Sequence, residues 1–264
     1  MSSTASRAAG VALRGLGRSF GTHTVLRDIE LEIAPGEVIA LVGPSGSGKS
    51  TLLRIIAGLD EPTEGEVVLD GRRMRGVDPR CAVVFQEPRL LPWRDLAGNV
   101  ALGLPPTISR AEGEAEVRRG LEIVGLAGFQ GHRPRQVSGG MAQRTALARA
   151  LVRHPGVLLL DEPFAALDAL TRLRMQDLLD EVQRAAGITV VLVTHDVDEA
   201  LRLADRVVVL ETTGGEKGFT IGSALEVSSD RPRDDTDPRL AELRLDLLER
   251  LGVARRATVK ETLR

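Results

Sequence analysis

Val38-Ile39-Ala40-Leu41-Val42-Gly43-Pro44-Ser45-Gly46-Ser47-Gly48-Lys49-Ser50-Thr51 is the stretch whose reading decides the fold. Its first five residues are apolar without alternation, the pattern of a strand buried on both faces in a parallel sheet. The next eight match G-x-x-x-x-G-K-[ST], and Thr51 leads into the helical pattern Leu52–Ala57. Glycines let a backbone wrap closely around phosphate, and its N–H groups at a helix N-terminus form an anion nest. In that setting Lys49 reaches the β- and γ-phosphates and the Ser50 hydroxyl ligates Mg2+. A merely flexible Gly/Ser loop would need neither the strand before it nor the helix after it.

Outward from this loop, Ile29-Glu30-Leu31-Glu32-Ile33 alternates strictly, as a strand with one wet face does. Val157–Leu160, Thr189–Val193 and Val207–Leu210 are three more continuous apolar runs, with helical patterns between several strands, the stretch 168–186 among them. That order predicts an α/β fold, a P-loop NTPase core with a mainly parallel sheet, preceded by an antiparallel β portion. The stretch 95–150 is poor in β-branched runs and carries helical patterns at Arg110–Leu126 and Gly140–Arg153, the mark of an inserted helical subdomain. Residues 11–230 are therefore expected to form one P-loop domain. Residues 231–264 are expected to be a linker, Arg231–Arg239, and a short helix. Asp237-Pro238 supplies an N-cap with proline at the first helical position. Leu240, Leu243, Leu247 and Leu251 then share one face.

Bulk properties exclude several classes. A net charge of −2 over 264 residues leaves no basic excess for general nucleic-acid binding. One cysteine excludes an internal disulfide framework. The start of the chain lacks a signal-type apolar run, and no stretch of about 18 apolar residues occurs, so membrane work would be done by docking.

Two further motifs carry chemistry. The run Val157–Leu160 ends in Asp161-Glu162; one carboxylate at such a tip can hold Mg2+ and the other can orient or deprotonate a water. Ser138-Gly139-Gly140 opens a helical run, with Ser138 as cap and the two glycines leaving the first N–H groups open to a ligand.

With these motifs in this order, residues 11–210 resemble the nucleotide-binding subunits of ABC transporters. Ser138-Gly139-Gly140 matches the family's signature, usually Leu-Ser-Gly-Gly-Gln, and departs from it at Val137 and Met141. The resemblance implies that Gln86 is the Q-loop glutamine, sensing Mg2+ and the attacking water. It makes Asp168, in Ala166-Leu167-Asp168, part of the D-loop that crosses a dimer interface. His195 becomes the switch histidine at the γ-phosphate, and Phe20 the aromatic ring stacked on adenine. It also implies ATP and Mg2+ as ligands, with Ser50, Gln86 and Asp161 around the metal and Glu162 polarising the water. The expected assembly is a head-to-tail homodimer on two transmembrane permease subunits, fed by a solute-binding protein, on the cytoplasmic face of the membrane.

Phe85-Gln-Glu-Pro-Arg-Leu-Leu-Pro-Trp-Arg94 and the Arg-Pro-Arg tail are similar to the nitrate, sulfonate and taurine importers, the aliphatic-sulfonate branch most of all. The soluble relatives fit less well, because the chain has neither a long coiled coil nor a second cassette. An unrelated P-loop kinase or GTPase would leave Ser138–Gly140 and His195 unexplained. Trp93 is read as a packing or permease-contact residue, and Cys81 as a buried thiol.

Overall fold

The computed structural model describes residues 8–212, 217–233 and 236–252. The chain begins with β1 (Val11–Phe20), β2 (His23–Ile33) and β3 (Val38–Val42), then α1 (Lys49–Ile56), β4 (Glu64–Leu69), β5 (Arg72–Arg73) and β6 (Cys81–Val84). Three helices follow, α2 (Leu96–Val100), α3 (Arg110–Ile123) and α4 (Gly139–Leu151). The last part runs β7 (Val157–Asp161), α5 (Ala169–Ala186), β8 (Thr189–Val193), α6 (Val197–Leu203), β9 (Arg206–Glu211), β10 (Thr220–Glu226) and α7 (Pro238–Arg250).

Two sheets result. One is antiparallel, in the order β2-β1-β4-β5; the other has the order β10-β9-β3-β8-β7-β6 and is parallel except at β10. The apolar runs behave as their lack of alternation requires. In β3, Ile39 and Leu41 join the core between the sheets and α1, while Val38, Ala40 and Val42 join the core under the other helices. Strands β7, β8 and β9 divide their side chains in the same way. Each such strand therefore removes both faces from water, at roughly 25 cal/mol per Å2 of apolar surface.

The helical patterns in 95–150 form α2, α3 and α4, which pack on one another. Helix α3 stops at Ile123, three residues short of the expected end, because Gly125 takes a left-handed φ of 67°. At its other end Ser109 and Glu112 make a reciprocal capping box.

The segment expected as a linker is anchored where it starts. Arg231 pairs with Asp180 at 3.0 Å and Asp205 at 3.2 Å. The Arg233 guanidinium, 6% exposed, donates to the Leu201 carbonyl at 2.9 Å and the Val227 carbonyl at 3.0 Å. Helix α7 then lies on α6 with Leu240 and Leu247 buried and Leu243 and Leu251 against the same core. Residues 234–235 of the expected linker and residues 253–264 of the expected tail lie outside the described residues, as do residues 1–7 at the start of the chain.

Leu247 is 0% exposed, so Leu247→Ala should cost about 2–5 kcal/mol of unfolding free energy, cavity included. Urea unfolding of the purified variant checks this; a loss under about 0.5 kcal/mol would mean that α7 is only loosely docked.

Candidate functional site

Strands β3, β8 and β7 are neighbours, and parallel strands bring their carboxyl ends to one edge. At that edge lie the loop after β3, the acids at the tip of β7 and the loop after β8. Three motifs remote in sequence meet because their strands are adjacent.

The loop Gly43–Gly48 wraps around its own lysine. Lys49 Nζ donates to the Gly43 carbonyl at 2.8 Å, the Pro44 carbonyl at 2.9 Å and Ser47 Oγ at 3.3 Å. Burial pulls the Lys49 pKa down, against the upward pull of Glu162 and Asp161. Gly48 caps α1 at φ 88°, and a Cβ there would come within 2.7 Å of Leu26. At Gly43 an added Cβ would meet the Leu210 carbonyl oxygen at 2.8 Å. Both positions exclude larger residues on sterics alone. Pro44, Ser45, Gly46 and Thr51 complete the wrap and the first turn of the helix.

Ser50, in that first turn, donates its hydroxyl to Asp161 Oδ1 at 2.8 Å, and Asp161 is only 7% exposed. Two hard oxygens at this separation suit neighbouring ligands of one octahedral ion, whose Mg–O bonds are about 2.1 Å. The pair therefore fits Mg2+. No cluster of three or more His, Cys, Asp or Glu residues that could hold a metal occurs among the described residues.

Glu162 leaves the strand with φ 46°, a conformation uncommon outside glycine, and its N–H donates to the Val193 carbonyl at 2.9 Å. The turn places its Oε2 3.3 Å from Gln86 Nε2 and 3.3 Å from His195 Nδ1. The fold thus joins three of the sequence's candidates around one carboxylate oxygen. Gln86 meets Glu162, the chain neighbour of Asp161.

Other candidates stand apart. Ser138 accepts from the Met141 N–H at 3.3 Å and caps α4, whose neighbours are α2, α3 and β6, whereas α1 packs on β7 and β8. Gly139 faces open space, and Gly140 lies against Leu167 and Thr171. Val137 and Met141, the two departures from the usual signature, are partly buried against the core. Asp168 caps α5 through the Thr171 N–H at 3.0 Å. Phe20 is 49% exposed at the end of β1, which excludes a core-filling role. Trp93 is 69% exposed, and Cys81 is buried with its thiol pKa pushed up to about 12 by burial.

This geometry can be set beside known proteins. The ABC transporter family model matches residues 26–165, just over half of the chain. The chain belongs to the ABC transporter family. It is 52% identical over 248 residues to an aliphatic sulfonates import ATP-binding protein of Xanthomonas axonopodis pv. citri, covering 92% of this chain and 96% of that one. A protein of the same description from Streptomyces avermitilis is 53% identical over 251 residues, 94% of this chain and 90% of that one. Among solved structures, the dimeric post-hydrolysis ATP-binding cassette MJ0796 bound to ADP and Pi aligns with a TM-score of 0.72 and 34% identity. It covers 83% of this chain and 100% of that one. The cassette cbiO1 of Clostridium perfringens, part of the transporter complex cbiONQ, gives 0.75 and 26%, over 92% of this chain and 95% of that one.

In this ABC chain several working contacts lay outside the sequence reading. Gln143, 4% exposed on α4, donates to the Phe85 carbonyl at 3.1 Å. Arg149 donates to the Pro88 carbonyl at 2.8 Å and the Arg89 carbonyl at 3.0 Å. Arg172 on α5 reaches the Leu167 carbonyl at 3.3 Å and Asp196 at 3.4 Å, joining the segment before Asp168 to the one after His195. Asp196 in turn caps α6. A side chain reaching a distant carbonyl leaves no local pattern, whereas the Asp196 cap three residues before Glu199 was a legible helix start.

Glu199, on α6 behind His195, is 5% exposed, and burial pushes its carboxyl from 4.5 up to about 8, with Asp196 adding to the rise and Arg172 opposing it. Its Oε1 has no hydrogen-bond partner among the described residues, and a hydrogen bond with Thr194 pulls the pKa the other way without overcoming burial. Below 4.5 both folded and unfolded chains hold this proton; between 4.5 and about 8 only the folded chain does, so its stabilising share falls as pH rises through that window. Glu199→Gln should remove that slope. Urea midpoints measured from pH 5 to 8 should show the variant gaining on wild type as pH rises; a constant difference would place the Glu199 pKa outside the window.

Proposed function

We propose that this chain is the ATP-hydrolysing subunit of an importer for aliphatic sulfonates, working as a homodimer on two permease subunits at the cytoplasmic face of the membrane, with a solute-binding protein delivering the solute. The observation that carries the ATPase reading is Glu162 Oε2 held between Gln86 and His195, next to the buried Lys49 and the Ser50–Asp161 pair. Support for the solute is the identity of about half over nine-tenths of the chain to sulfonate import proteins. None of the described helices is long and apolar enough to cross a membrane, so the membrane work is assigned to docking. Residues 11–230 are assigned as the ATPase domain with its helical subdomain at about 95–150. The described part of the tail is assigned a structural role against α6.

Each residue has its task. The Gly43–Thr51 backbone cradles the phosphates, and Lys49 turns from its own loop carbonyls to the β- and γ-phosphates of ATP. Ser50 and Asp161, with Gln86 after a shift of its amide, would hold Mg2+, which offsets the phosphate charge. Glu162 accepts a proton from the water attacking the γ-phosphorus as the bond to the leaving β-phosphate oxygen breaks. His195 steadies the γ-phosphate, and Phe20 stacks on the adenine. Ser138, Gly139 and Gly140 close the site from the second subunit, across an interface that includes Asp168. Exposed Trp93, beside the Gln86 segment, is assigned to the permease contact.

Glu162→Gln should leave ATP binding nearly intact and slow hydrolysis by roughly 10²–10⁴, trapping an ATP-bound dimer on gel filtration. Near-normal turnover would remove Glu162 from this role. The shared site has its own test. A Cβ at Gly139 meets nothing within 4 Å, so Gly139→Asp should fold, yet its carboxylate would repel the γ-phosphate. Mixing Gly139→Asp with Lys49→Ala restores one whole site per mixed dimer. The mixture should occlude one ATP where neither parent does; occlusion by the Gly139→Asp parent alone defeats the shared arrangement. The solute is tested by uptake of radiolabelled alkanesulfonate into vesicles holding the complete transporter. Uptake of nitrate or taurine in its place would reassign the solute and leave the ATPase reading intact.

A further inference from the structure

Phe20 ends β1 half-exposed, yet one side of its ring is occupied. The Arg18 guanidinium carbon stands 4.3 Å from the ring centroid. The same guanidinium donates through Nη2 to Asp60 Oδ1 at 2.8 Å, with side-chain exposures of 21% and 26%. Asp60 lies just beyond α1, the helix that begins at Lys49. The segment after α1 is bound to the end of β1 elsewhere too: the Ser19 N–H donates to Thr63 Oγ1 at 3.0 Å, and the Thr63 N–H to the Gly17 carbonyl at 2.8 Å. Arg18 is therefore a strut with its guanidinium face on the ring and its edge on the segment that follows the phosphate-binding helix.

We propose that Arg18 is a positioning residue for the nucleobase, holding the Phe20 ring at a set distance from the P-loop and tuning the face it offers to adenine. This rests on the reading of Phe20 as the adenine platform. The physics is direct. An aromatic face is electron-rich, and a cation on one side draws that density toward itself. The open side then repels a π-rich purine less. The tie to Asp60 adds preorganisation, because a ring fixed before binding loses less rotamer freedom when the base arrives. Arginine suits the task, since its planar group stacks on the ring while its edge bonds the carboxylate.

The test separates base from phosphate. Equilibrium binding of ATP and of inorganic tripolyphosphate is measured on the intact chain for wild type, Arg18→Met, Arg18→Lys, Phe20→Ala and the double variant Arg18→Met/Phe20→Ala. Arg18→Met should weaken ATP binding about 3–10-fold, raising KM with kcat at saturating ATP held within about twofold, and leave tripolyphosphate binding unchanged. Arg18→Lys should fall between, and Arg18→Met should add nothing once Phe20 is gone. Equal losses for ATP and tripolyphosphate would make Arg18 a structural support of the P-loop and overturn the proposal. Tighter ATP binding by Arg18→Met would overturn it as well, by showing that the guanidinium stands where the base must go. A loss in Phe20→Ala without one in Arg18→Met sinks the role of Arg18 alone; no loss in Phe20→Ala sinks the platform reading, and the proposal with it.

Discussion

The site depends on a buried ammonium group. Taking a charged lysine out of water costs several kcal/mol unless its donors find acceptors. Lys49 finds them in the carbonyls of Gly43 and Pro44 and in Ser47 Oγ, all within its own loop. The loop must curl to supply them, and it can curl only because glycine stands where a Cβ would strike Leu26 or Leu210. The curl also aims backbone N–H groups inward at the start of α1, where the helix dipole adds its share. A single electrostatic demand thus sets the loop's shape, its glycines and the origin of the helix.

Around that demand the parallel sheet does the gathering. Adjacent strands β3, β8 and β7 end at one edge, so Ser50 and Asp161, 111 positions apart in the chain, come within bonding distance without any long connection through the interior. The strained φ of Glu162 is part of this arrangement. Relaxed into a continuing strand, its side chain would alternate away, and Gln86 and His195 would have nothing to share.

Much of this was legible in the sequence. The unbroken apolar runs were read as strands buried on both faces, and β3 and β8 have the expected limits. The 168–186 pattern gave α5, with Asp168 as its cap. Periodicity and capping are local signals, and local signals carry over. What escaped was non-local: Gln143 and Arg149 reaching main-chain carbonyls, and Arg172 spanning two loops. None of these leaves a spacing rule behind. The anchoring of the expected linker at Arg231 and Arg233 escaped for a related reason. Arginine, proline and aspartate look like solvated chain until the carbonyls and carboxylates that receive Arg231 and Arg233 are known.

The bonds from α4 to the Gln86 segment have a mechanical consequence. Gln143 holds the Phe85 carbonyl, and Arg149, a turn and a half further along, holds those of Pro88 and Arg89. Two attachment points along a stiff helix transmit torque as well as translation, where one would act as a swivel. Tilting α4 must therefore re-aim the peptide planes on either side of Gln86, while Ser138 and Gly139, about one turn before Gln143, move with the start of the same rod. Gln86 and the first turn of α4 are thus tied to one rod, so a tilt of that helix is felt at both.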